Sequence, residues 1–209
     1  MNRIYLHPLP VRMWHWLNVL CFVVLIVTGA QIRYRGILNF MPFSTAVDIH
    51  NIGGFSLIGL FLVWAAYYIV SGRMKVYLPD LNIKRFIESS WKQARYYGYG
   101  IFRGEPNPFH ASPDHKFNPM QQLAYFGIMF FLMPLLIVTG ILLWDLDRFA
   151  AFIDGIGGIK AVSAAHLLVT IFFVAFLFVH VYLTTLGRTP WEHIKAMFTG
   201  YEDAPEHGH

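Results

Sequence analysis

An all-α membrane protein built on a four-helix bundle is the fold class this 209-residue chain predicts, and three observations predict it. The chain is 56% hydrophobic with a mean hydropathy of +0.47. Only 13% of its residues are charged, against about 25% in ordinary soluble domains. Its apolar residues gather in continuous charge-free windows, where the strands of a membrane barrel would alternate. A helix needs about 20 apolar residues to cross a hydrocarbon core of about 30 Å. Four windows reach that length: between Arg12 and Arg33 (20 residues), Asp48 and Arg73 (24), Lys116 and Asp145 (28), and Lys160 and Arg188 (27).

The first span is expected at about 13–32. Arg3 and Arg12 precede it as in a signal peptide, but the run is 20 residues long and lacks a small-residue cleavage site, so it reads as a retained helix. The second span is expected at about 50–72. The 44 residues from 73 to 116 follow, too few for a second domain, and the chain reads as one membrane domain over 1–209. Within that loop, PDLNIKRFIESSWKQARYY predicts an amphipathic helix, with Asp80 as N-cap and Ile83, Phe86, Ile87 and Trp91 at helical spacing. Its Lys and Arg suit it to the membrane surface, against anionic headgroups. GYGIFRGEPNPFHASPDHKFNP, rich in Gly and Pro, reads as a structured loop.

The third and fourth spans are expected at about 119–144 and 161–187. TPWEHIKAMFTG then predicts a short helix opened by Thr189 with Pro190 at its first position. The acidic tail YEDAPEHGH reads as mobile. Lysine and arginine number 12 on the side of the termini and 4 on the other side, which places both termini in the cytoplasm. Trp14, Trp16, Trp144 and Trp191 suit interfacial anchoring. The single cysteine, Cys21, excludes an internal disulfide, a cysteine zinc site and the C-x-x-C-H attachment of c-type haem. LIVTGAQ (25–31) and LIVTGIL (136–142) form a short internal repeat, open to two readings: related helix hairpins, or glycines that let helices pack closely.

Ionisable groups inside a span are costly and usually functional. Four of the ten histidines lie in or at the edge of spans: His15, His50, His166 and His180. Fourteen helical residues advance about 21 Å and turn about 1400°, so His166 and His180 lie within about 40° of one face at two depths. With the termini inside, His15 and His180 share the inner depth, and His50 and His166 the outer. Two facing imidazoles at two levels is an arrangement that holds two b-type haems, whose irons take a nitrogen above and below, inside a helix bundle. Gly29, Gly53, Gly54, Gly59 and Gly140 are candidates for the gaps a porphyrin needs. A metal transporter or proton relay is the competing reading, and either would ordinarily add carboxylates or thiols at the same level; no Asp or Glu lies within the four windows.

HPLPVRMWHWLN (7–18), the His50 helix, the His166/His180 spacing and the closing KAMFTGYED together resemble the cytochrome b subunits of membrane-bound nickel-iron hydrogenases, formate dehydrogenases and thiosulfate reductases. The resemblance covers most of the chain and is specific in the P-V-R-x-x-H-W-x-N motif and the four-histidine pattern. It implies two haems b, with axial pairs His50/His166 outside and His15/His180 inside. It implies a bacterial inner-membrane subunit that carries electrons between a periplasmic partner, bearing iron-sulfur clusters or c-type haems, and the quinone pool, with a separate catalytic subunit choosing the substrate. HKFNPMQQ (115–122) resembles the K-Y-N-x-x-Q-K motif of the formate dehydrogenase cytochromes, which helps form a quinone pocket; Lys116, Phe117, Asn118 and Gln121 match, while Gln122 stands where the family has Lys. Asn118 and Gln121 become candidates for the quinone site, and His115 or His110 for its proton transfer. Arg12, Arg33 and Arg35 are candidates to pair with haem propionates or, equally, to serve as topology and headgroup charges. No nucleic-acid partner is implied. A stand-alone quinol-linked or ferric-reducing cytochrome b, and a haem-free metal transporter, are the alternatives.

Overall fold

The computed structural model describes residues 3–109, 116–187 and 189–203. Four helical stretches are long and apolar enough to cross a membrane: α1 (Leu9–Arg33), α2 (Phe43–Val70), the third span Pro119–Trp144, and α7 (Gly158–Thr184). Their outer faces carry large exposed apolar side chains such as Leu20, Leu62, Phe131 and Phe178, the surface expected of helices solvated by lipid. The face bearing both ends of the chain is termed the terminal face here, and the opposite one the far face.

The third span is not one regular helix. It runs as α4 (Pro119–Gly127), a π-helical turn (Ile128–Leu132) and α5 (Met133–Trp144). Pro134 has no N–H for the carbonyl four residues back, and the wide turn before it absorbs the mismatch. α1 packs along α2, and α5 along α7, so the spans form two hairpins. Where they meet, Leu57, Trp64, Met129, Met133, Val169 and Phe173 make a shared buried core.

On the far face, α1 and α2 are joined by a loop held from inside by Gln31. Its amide donates to the Met41 carbonyl at 2.6 Å and accepts from the Phe40 N–H at 3.1 Å, and it is only 1% exposed. Between the third span and α7 lies α6 (Ala150–Gly155), a six-residue helix the sequence did not signal.

On the terminal face, α2 leads through a 3-10 turn (Arg73–Tyr77) to the amphipathic helix α3 (Ile83–Gly98). The N-cap is Asn82, two residues beyond the expected Asp80. The Asn82 side chain accepts from the Arg85 N–H at 3.1 Å, while Asp80 accepts from the Asn82 N–H at 3.0 Å and also pairs with Arg85. Asp80 thus shapes the turn into the helix and Asn82 caps it. Tyr77 is buried beneath this connection, its hydroxyl accepting from the Trp64 indole at 3.0 Å; burial pushes its phenol well above the usual range.

The C-terminal helix α8 (Glu192–Thr199) begins two residues after the expected Pro190. The tail begins as a strand, and its last six residues, 204–209, lie outside the described residues. Tyr201–Asp203 forms strand β2, antiparallel to β1 (Arg3–Tyr5), with Ile4 opposite Glu202. Gly200 makes this possible. It ends α8 in the left-handed region at φ 90°, its carbonyl accepts from the N–H groups of Leu6 and His7 at 3.0 and 3.1 Å, and a side chain there would meet Tyr5 at 2.7 Å.

Candidate haem site

The histidines of the spans meet in two pairs. His50 of α2 and His166 of α7 face each other at the far-face level, ring centroids 6.5 Å apart and planes at 68°. His15 of α1 and His180 of α7 face each other at the terminal-face level, 6.2 Å apart at 50°. Each pair therefore spans the two hairpins. All four rings are half-buried.

Two metal–imidazole bonds of about 2.0 Å, with roughly 1 Å from each nitrogen to its ring centre, span about 6 Å. Both pairs fit a metal held between two rings. Two further observations fit a large group bearing carboxylates. A methyl at Gly54, one turn beyond His50 on the same side of α2, would meet no heavy atom within 4 Å, whereas Gly59 is exposed on the opposite side. At the terminal-face level His15 Nδ1 and Arg12 Nε are buried without a hydrogen-bond partner among the described residues, and the latter is a cation side chain ready for an anionic acceptor. Gly53 has the plainer role of close packing, with Leu25 3.2 Å from where its side chain would begin.

The P-V-R-x-x-H-W-x-N motif explains how the terminal-face pair is framed. Pro10 lies in the first turn of α1. Arg12 donates to the Phe198 carbonyl and Trp16 to the Met197 carbonyl at 3.1 Å, docking the end of α8 beside His15. Trp16 also stacks on Phe198 at 4.5 Å. Asn18 donates to the Trp14 carbonyl at 2.8 Å, and Trp14 to the Leu60 carbonyl of α2 at 2.8 Å. Trp14 and Trp16 are thus internal ties, whereas Trp144 and Trp191 are exposed, at 48% and 63%. Arg33 lies over the Tyr34 ring and Arg35 over that of Phe43, each 5.5 Å from the ring centre.

Asn118 and Gln121 open α4 as a capping box. The Asn118 carbonyl oxygen accepts from the Gln121 N–H at 2.9 Å, and the Gln121 side chain accepts from the Asn118 N–H at 3.1 Å. The Asn118 amide also donates to the Tyr97 hydroxyl of α3 at 3.0 Å, tying the surface helix to the third span. His110 and His115 lie outside the described residues.

A polar group of four residues sits close by on the terminal face, which the sequence did not reveal because its members come from three distant segments. His193 Nδ1 pairs with Glu202 at 2.6 Å. The hydrogen bond to Glu202 holds His193 above its usual range. Burial would raise Glu202, but the His193 bond and the nearby charges of His193, His7 and Lys116 outweigh it and hold the carboxyl low. Burial, opposed by Glu202 and reinforced by Arg73, pushes Lys116 down to about 8. Burial, reinforced by Lys116, pushes His7 down to about 4.

Sequence reasoning missed Thr28 and Thr139, which contact the two far-face imidazoles at 2.9 Å each. The signal was present in the LIVTG repeat, which contains both.

Comparison with known proteins agrees with this architecture. Residues 6–200 match the model of the family described as prokaryotic cytochrome b561. The chain is 36% identical over 205 residues to a protein of Escherichia coli (strain K12) named "Putative cytochrome YdhU", covering 96% of this chain and 75% of that one. It is 28% identical to the "Probable Ni/Fe-hydrogenase 1 B-type cytochrome subunit" of the same organism, over 68% of this chain and 60% of that one. It is also 28% identical to the "Putative protein-methionine-sulfoxide reductase subunit YedZ1" of Azospira oryzae, over 87% and 90%. No solved structure matches. Four apolar spans, facing histidine pairs and a family match over nearly the whole chain lead to one conclusion: this multi-pass membrane protein belongs to the prokaryotic cytochrome b561 family, whose members carry b-type haem.

Proposed function

We propose that the chain is a di-haem electron-transfer subunit of a respiratory oxidoreductase in a bacterial inner membrane, with both termini cytoplasmic. One observation carries this reading: two histidine pairs, 6.5 and 6.2 Å apart, stacked at two depths between two helix hairpins. His50 and His166 would hold one haem near the periplasm, and His15 and His180 the other near the cytoplasm. The haems, when bound, supply one-electron chemistry at two levels of the membrane. The protein holds and insulates them. Among the described residues no group of three or more His, Cys, Asp or Glu side chains is placed to hold a free metal ion, and each facing pair would offer two imidazole nitrogens to a haem instead.

A redox partner docked on the far face would exchange electrons with the outer level, and quinone with the inner one. The relatives named as hydrogenase and sulfoxide reductase subunits support a separate catalytic chain. Asn118, only 2% exposed, retains beyond its cap and its bond to Tyr97 one amide proton, the group it would donate to a quinone carbonyl. The unpartnered Nε of Arg12 supports a role in meeting a propionate at the inner level.

The test uses purified protein in lipid and a quinol analogue. Expected is reduction of the cytochrome that is lost in His180→Ala, together with one haem, and slowed in Asn118→Leu with both haems kept. Undiminished reduction in His180→Ala would contradict the inner location of the quinone site.

A further inference from the structure

The two LIVTG segments occupy equivalent places in the two hairpins. Thr28 of α1 touches His50 of α2, and Thr139 of α5 touches His166 of α7, in each case Oγ1 to Nδ1 at 2.9 Å. The next residue seats the ring. A side chain beginning at Gly29 would lie 3.1 Å from His50 Cε1, and one at Gly140 would lie 3.4 Å from His166 Cε1. The repeat is therefore a pair of matching imidazole cradles, one in each hairpin, both on the same level.

The direction of these hydrogen bonds follows from counting protons. A threonine hydroxyl has one, and Thr28 is 2.7 Å from the Val24 carbonyl, which can only accept. Thr139 is likewise 2.7 Å from the Leu135 carbonyl. With its proton directed there, each hydroxyl oxygen can only accept from the ring, so Nδ1 carries the hydrogen. Nε2 is then the bare nitrogen in both rings and the one free to bind iron.

We propose that Thr28–Gly29 and Thr139–Gly140 are positioning residues that fix the tautomer and rotation of both far-face ligands, and that by accepting the Nδ1 proton they make these imidazoles stronger donors to oxidised iron. This rests on the reading of His50 and His166 as axial ligands. The terminal-face pair lacks the device: His15 Nδ1 is buried without a partner, and His180 is held by stacking on Phe176 at 5.5 Å and 24°. An acceptor behind a metal-bound imidazole raises its basicity. The cradles would therefore bias a haem held by His50 and His166 toward its oxidised form.

The experiment is redox titration, low-spin ferric EPR and a haem count on the full chain carrying Thr28→Val with Thr139→Val, compared with Thr28→Ser with Thr139→Ser. Expected for the valine pair is an upward shift of one midpoint potential with a changed EPR signal for that haem, or loss of that haem, while the other haem is unmoved. The serine pair, which keeps the acceptor, is expected to restore the parent values. Unchanged potential and EPR in the valine pair would overturn the proposal, as would a defect that serine does not correct. His50→Ala separates the two layers. Loss of one haem there, with unaltered valine variants, defeats the cradle alone; retention of both haems defeats the ligand reading and the cradle with it.

Discussion

The two histidine levels are built by different means. At the far face, each ring is gripped from behind by a neighbouring helix through one hydroxyl and one glycine, and the grip is duplicated between hairpins. At the terminal face the rings have no hydrogen-bond partner among the described residues, but the surroundings are dense with ties: Arg12 and Trp16 bind the end of α8, and the two terminal strands pair beside it. One level is positioned by the histidines' own hydrogen bonds. The other is positioned by the scaffold around them. Rigid ligands suit a site that only relays electrons, whereas a framed but polar surrounding suits a site where protons must also arrive, and the ionisable residues His7, Lys116, His193 and Glu202 all lie at that second level.

This contrast can be broken at either end. The largest effect is expected from ligand removal: His166→Ala should abolish the far-face haem and leave the terminal-face one, a loss of half the haem per chain measured by pyridine haemochrome. Filling the cradle is expected to act nearly as strongly. Gly29→Val places branched atoms against a ring already 3.1 Å from the first carbon, and overpacking of this kind costs about 1–3 kcal/mol. Its signature is reduced far-face occupancy, while Gly54→Ala, which meets nothing within 4 Å in the protein, keeps the helices packed and reports by its haem content whether that space belongs to a porphyrin.

A smaller effect belongs to the terminal face. His193 is raised by Glu202, so its share of the pairing is complete below about 6.5 and is lost as pH rises through its folded value above that. Glu202 is lowered, so its share is present above about 4.5 and is lost as pH falls through its folded value below that. The β1–β2 closure should be tightest between these limits. Amide exchange at Ile4 and Glu202 is expected to quicken roughly two- to fivefold as pH rises past neutrality after correction for intrinsic rates, the scale of a partly exposed pair, and Glu202→Gln is expected to remove that dependence.

Much of this was legible in the sequence because its signals are local. Charge-free windows mark all four spans, and helical spacing of Ile83, Phe86, Ile87 and Trp91 marks α3. The equal depths of the paired histidines follow from helix rise and chain direction, and the rings do meet across the hairpins. What was hidden depends on partners far away in the chain. The strands β1 and β2 are three residues each and draw on opposite ends, so neither has a periodicity to read. The LIVTG repeat was visible, but a threonine in an apolar helix looks the same whether it bonds only its own carbonyl or also receives a histidine from the next helix. Asn118 reads in the sequence as a quinone contact; its capping box with Gln121 is a local N-x-x-Q pattern open to the same reading, while its tie to Tyr97 depends on α3 and α4 lying side by side. Asp80 and Asn82 are both good caps by type, and their bonding geometry alone assigns the cap to Asn82.

The central claim is that two facing histidine pairs hold two haems. Its most direct measurement is a dithionite-reduced optical spectrum with a pyridine haemochrome count on the purified chain. Two haems b per chain are predicted; a single haem or none would contradict the account.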